Sequence, residues 1–143
     1  MANNSPTMRW PAEVGINHVG AYQVSGRPFA SASINASNAH IIEFPFVTRW
    51  VTLINKSGNT ARVGFSELGV SGSNGENYFT LEASGAHSGY GKMPAMEMKI
   101  SNLWLYSPAK ATNIDVVAGL TSINRNKTSG STGPSWSGSI GAG

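Results

Sequence analysis

The strongest constraint on this chain is its punctuation. Short apolar or alternating stretches are each cut off by Gly, Asn, Ser or Pro, with turn signals every eight to twelve residues. No window carries a 3.6-residue apolar stripe, so the runs read as strands. "NHVGAYQV" (17–24) alternates, with Val19, Ala21 and Gln23 on one side and Gly20, Tyr22 and Val24 on the other. "RPFASASIN" reads as a short edge strand, because Pro28 lacks a backbone donor. Pro45 splits the most apolar stretch into strands near 40–44 and 47–55. The second is apolar on both sides, as suits a central position.

A turn at Ser57-Gly58-Asn59 leads to a strand at 60–66. Asn74-Gly75 is a hairpin signal before a strand at 77–83. "SGAHSGYGKMPAME" reads as a Gly-rich loop and "MEMKISNLWLYS" as the longest clean strand. "TNIDVVAGLTSI" is the last, with Ile114, Val116, Ala118 and Leu120 alternating against Asp115, Val117 and Gly119. About eight short strands make an all-β fold, a β-sandwich. An eight-stranded jelly roll is the leading architecture and an immunoglobulin-like sandwich the runner-up. Residues 1–14 form an extended N-terminal arm, 15–124 the sandwich domain, and 125–143 a flexible Gly/Ser-rich C-terminal tail.

Composition limits the function classes. With 143 residues the chain suits one domain. Charged residues are only 12%, about half the usual share. The net charge of +3 comes from scattered Lys and Arg, whereas nucleic-acid binding needs a concentrated patch. A surface so poor in charge is expected to meet other protein. Cysteine is absent, so there are neither disulfides nor thiolate metal sites. The N-terminus shows no signal-peptide core, and no run approaches the ~20 apolar residues of a membrane span. These readings favour synthesis in a reducing compartment, with no nucleic-acid or membrane partner.

Catalytic patterns fail on spacing. His18, His40 and His87 are far apart and match no metal-ligand spacing. Asp115, the only Asp, sits on the polar side of a strand and is expected to point to solvent. Glu43, Glu67, Glu76, Glu82 and Glu97 are spread over different elements, with no paired acid and base. "GFSELG" lacks the Gly two residues after Ser66 and the following helix of a nucleophile elbow. "GAHSGYGK" lacks phosphate-loop spacing. The expectation is no enzyme, no cofactor and no metal. A small β-sandwich enzyme would have to work through His18, His40, His87 or Asp115.

Aromatic residues offer binding instead. Trp50, Trp104, Tyr90 and Tyr106 are candidates for stacking on sugars. Core packing is expected for Trp50 and Trp104, which leaves Tyr90, in a Gly-rich loop, as the possible glycan contact. Trp10 lies in the arm and Trp136 in the tail, where an undocked Trp is a solubility liability. Met8, Arg9, Trp10, Trp136 and Ile140 are therefore candidate anchors. They would dock on the chain's own domain or on a neighbouring subunit. Eighteen extended residues reach about 60 Å.

"FVTRWVTLINKSGNTARVGFSELGV" (46–70), "NYFTLEASG" (77–85) and "NIDVVAGLTSI" (113–123) together resemble small virion structural proteins of tailed bacteriophages. These are the capsid decoration or cement proteins and related head or tail accessory proteins. The resemblance covers about half the chain. It implies a non-catalytic β-sandwich, often a homotrimer, bound to the outer face of a capsid. The implied partner is the major capsid protein or another virion protein, and the implied location is the virion, after synthesis in the host cytoplasm. The alternative is a carbohydrate- or receptor-binding module of a tail or head fibre.

Overall fold

The structure is a computed structural model that describes residues 26–72, 76–85 and 91–127. The described residues are mostly β-strand, in two antiparallel sheets with almost no helix among them. The strands, in chain order, are β1 (Arg27–Ile34), β2 (His40–Glu43), β3 (Phe46–Asn55), β4 (Ala61–Gly64), β5 (Tyr78–Leu81), β6 (Gly91–Lys92), β7 (Asn102–Tyr106) and β8 (Ile114–Asn124). A one-turn helix, α1 (Glu67–Ser71), and a 3-10 turn, Arg125–Lys127, complete the described elements.

The first sheet has the order β1-β8-β3-β6 and the second β2-β7-β4-β5. The pairings are nested. The first strand pairs with the last, the second with the seventh, the third with the sixth, and the fourth with the fifth. Contacts β8·β3 and β7·β4 then join these pairs into the two sheets. Such a pattern results when one long antiparallel ribbon is rolled over on itself. The described chain starts at Gly26, whose N–H donates to the Leu120 carbonyl at 3.0 Å, and ends just past Asn124. Both ends of the described body therefore lie at the same end of the β1/β8 pair.

Strand alternation builds the core. Val51 and Leu53 on β3 stand opposite Ala118 and Val116 on β8, and all four are buried. From the second sheet, Ile42, Val63, Leu81, Leu103 and Leu105 enter the same cluster. Burying each such side chain fully contributes about 1.5–3 kcal/mol. Phe44, where Pro45 interrupts the chain, is fully buried and meets Phe29 edge-on at 5.0 Å.

The turn at 57–59 forms where the sequence predicts it. Buried Asn55 organises it, accepting from the Ser57 N–H and hydroxyl and donating to the Asn59 carbonyl. Three expectations need correction. The stretch 96–107 is not one long strand: only Asn102–Tyr106 is a strand, and the longest described strand is β8. Residues 91–100 run along β3 with a slipping register, Ile54 opposite Lys92 but Val51 bridged to Met96. Pro94 has no donor, and the Thr52 and Thr48 hydroxyls instead donate to the Met93 and Met98 carbonyls. Part of the expected Gly-rich loop is β6. A helix does follow Ser66, but it has only five residues. The expected arm (1–14), the expected strand at 17–24, the Asn74-Gly75 turn and most of the tail lie outside the described residues.

Candidate functional site

The outward faces of the two sheets carry most of the unusual side chains. On the second sheet, alternation turns Leu103 and Leu105 inward and sends Trp104 and Tyr106 out. Trp104 stands opposite Ile41 and Gly64. Arg62 projects from β4 on the same side, because its neighbours Ala61 and Val63 are in the core. Its guanidinium lies 4.4 Å from the Tyr78 ring centroid and 5.8 Å from that of Tyr106. It also donates to the Ser71 carbonyl at 3.1 Å and the Val70 carbonyl at 3.4 Å. One arginine thus stacks on rings from two strands and satisfies the last carbonyls of α1. Ser66 caps the other end of the helix, its hydroxyl accepting the Gly69 N–H. Gly72, in the left-handed region at φ 86°, closes it.

On the first sheet, Trp50 stands opposite Gly119 and is half-buried. It lines a shallow groove of about 240 Å³ together with Gly26, Arg27, Pro28 and Val117. Arg27 also stacks over Phe46 at 4.4 Å. Trp50 and Trp104 are therefore not core residues, as their strong strands suggest. Each is half-buried on an outward face, because the inward positions beside them are taken by Val51 and by Leu103 and Leu105.

Three acidic side chains face bases. Glu43 pairs with Arg125 at 3.1 Å, Glu97 with Arg49 at 3.4 Å, and Asp115 with Lys56 at 2.7 Å. Asp115 does not point freely to solvent: its side chain is 17% exposed. The Lys56 ammonium, hydrogen-bonded to it, holds its carboxyl below the ordinary value against an opposing effect of burial. His40 is exposed on β2. Among the described residues no three His, Asp or Glu side chains come together as a metal site would need. No described helix is long and apolar enough to cross a membrane.

The candidates Met8, Arg9, Trp10, Tyr90, Trp136 and Ile140, with His18 and His87, lie outside the described residues. Sequence reading missed Arg62. Its only signal is a charged residue between two core positions, and nothing in the sequence says that Tyr78 and Tyr106 flank it. What these faces offer chemically is stacking, cation–π contact and hydrogen bonding, which is the chemistry of recognition.

No family model, curated protein or solved structure matches this chain.

Proposed function

We propose that this protein is a non-enzymatic virion structural protein, a capsid cement or decoration protein that bridges and stabilises capsid subunits. The nested strand pairing carries this reading. It supports reading the two sheets as a jelly roll, an architecture that viral capsid domains use. The charge-poor composition and outward faces bearing Trp, Tyr and Arg favour protein contact. The body would sit across a junction between subunits. Met8, Arg9, Trp10, Trp136 and Ile140 would latch onto neighbours. Binding only the assembled state stabilises that state by mass action, and a homotrimer would multiply weak contacts.

Sedimentation of the full chain beside a version truncated after Lys127 tests the assembly reading. A trimer whose state changes on truncation supports it. Two compact monomers that fail to co-sediment with capsids would sink it. A second reading, a carbohydrate- or receptor-binding module, is favoured by one observation. Trp50 lies half-buried in an open groove instead of in the core. Glycan-array binding that is lost in Trp50→Ala and kept in Trp104→Ala would support that reading.

A further inference from the structure

We propose that Met93, Met96 and Met98 form an oxidation-sensitive latch, which holds residues 93–99 on the edge of β3 and releases them when a hydroperoxide oxidises the three sulfurs. These methionines are packed against the core and half-buried. Every other residue from Lys92 to Lys99 is exposed. The side-chain hold of this stretch on the body therefore rests on three thioethers. Its ends are fixed separately, by Gly91 and Ile100, which are both buried.

The main chain explains why methionine suits this place. Val51 and Met96 exchange both backbone hydrogen bonds, at 2.9 and 2.8 Å. On either side, the Thr52 and Thr48 hydroxyls donate to the Met93 and Met98 carbonyls at 2.7 and 2.6 Å. The half-buried positions 93, 96 and 98 are thus unevenly spaced. Strict alternation cannot fill the gaps beneath such a stretch, whereas an unbranched thioether with three rotatable bonds can. The same groups leave little for an oxidised sulfur to bond. Each Thr hydroxyl has one proton, and here it is already given to a main-chain carbonyl.

The step takes one oxygen per sulfur. The thioether sulfur attacks the terminal oxygen of the hydroperoxide, an S–O bond forms and the O–O bond breaks. Sulfur is oxidised by two electrons and the peroxide is reduced. The hydroxyl proton passes to the departing oxygen, which leaves as water or an alcohol. The product is a sulfoxide, polar and chiral, in place of an apolar side chain. Burying it without a donor is unfavourable. Residues 93–99 then leave the body, and the Val51 N–H loses its partner, the Met96 carbonyl. The β3 edge that the reduced chain covers stands open in the oxidised one. This latch does not depend on the virion reading.

The experiment treats the full chain with hydrogen peroxide, counts sulfoxides by peptide mass mapping, and reads amide exchange at Val51. The controls are Ala36 and Ser107, beyond the ends of β1 and β7, whose N–H groups bond to the Ala111 and Ala36 carbonyls. Oxidation of the three methionines should speed exchange at Val51 by about tenfold or more and leave the controls within about twofold. Reduction by the two methionine sulfoxide reductases should restore the slow rate. The variant Met93→Leu/Met96→Leu/Met98→Leu keeps an apolar filling without sulfur, and its Val51 amide should not respond to peroxide. Where that variant fails to fold, the reductase arm on the parent chain decides alone. Oxidation that leaves Val51 unchanged, or speeds all three amides alike, would overturn the proposal. So would an equal response in the leucine variant, a fast rate that persists after the sulfoxides are reduced, or methionines that stay reduced where free methionine is fully oxidised.

Discussion

Asp115 holds two strands with one carboxylate: one oxygen lies 2.7 Å from Lys56 Nζ, and the other accepts the Ser33 N–H at 3.1 Å. Ser33 is one of the few described non-glycine residues with positive φ, at 56°. It sits where β1 slips register against β8, between Ser31 opposite Val116 and Ile34 opposite Ile114. This extra residue turns Ile34 into the core. Asp115→Ala removes the partner of a strained backbone and of an ammonium. The expected loss is about 1–3 kcal/mol, read from the urea midpoint. An unchanged midpoint would mean the bulge holds itself.

The same carboxylate sets an acid response. Its hydrogen bond from Lys56 keeps the folded pKa below the ordinary 3.8. The folded chain then binds fewer protons at this site than the unfolded chain, so stability rises with pH through this range. The contribution is fully present above the unfolded value and is lost as pH falls through the lower folded value. Asp115→Asn should flatten the decline of thermal midpoint on acidification. Parallel declines in parent and variant would assign the acid sensitivity elsewhere.

Arg62→Ala should cost about 1–2 kcal/mol, from stacking and from the helix carbonyls left without a donor. Arg62→Lys should recover less than half of that. An ammonium cannot stack on Tyr78 and Tyr106 while bonding two carbonyls. Full recovery by Lys would show that charge alone matters at this position.

Gly64→Ala places a methyl 3.1 Å from both the Asn77 carbonyl and Val70 Cβ. Overpacking there should cost about 1–3 kcal/mol. Gly91→Ala is more severe, because its Cβ would fall onto the Glu82 backbone carbonyl. It should detach β6 from β3 and speed amide exchange at Asn55, which stands opposite Gly91. Equal midpoints for the two variants would contradict this ranking.

Trp50 and Leu103 should separate surface from core. Leu103 is fully buried, and Leu103→Ala should cost about 2–5 kcal/mol. Trp50→Ala should cost less than Leu103→Ala despite the larger side chain removed, because Trp50 lies half-buried on an outward face. A larger loss for Trp50 would return it to the structural framework.

Strands were legible where alternation met a ladder that runs true. Ile114, Val116, Ala118 and Leu120 mark β8 without ambiguity, and Pro45 marks the break between β2 and β3. The stretch around Met96 and Met98 misleads because its period of two is real. It records a chain lying along β3, but slipping register removes the ladder. The Trp residues mislead for another reason. Whether an indole faces in or out follows from the alternation and register of its strand, and the sequence does not show the register shift between Thr48 and Trp50. Arg62 was hidden in the same way, since its partners come from three separate elements.

The slipping register of residues 91–100 along β3 has a collective consequence. An edge whose hydrogen-bonding groups keep time for only two residues offers no continuous template to an incoming strand. At this edge a second copy would find no run of evenly spaced donors and acceptors to pair with.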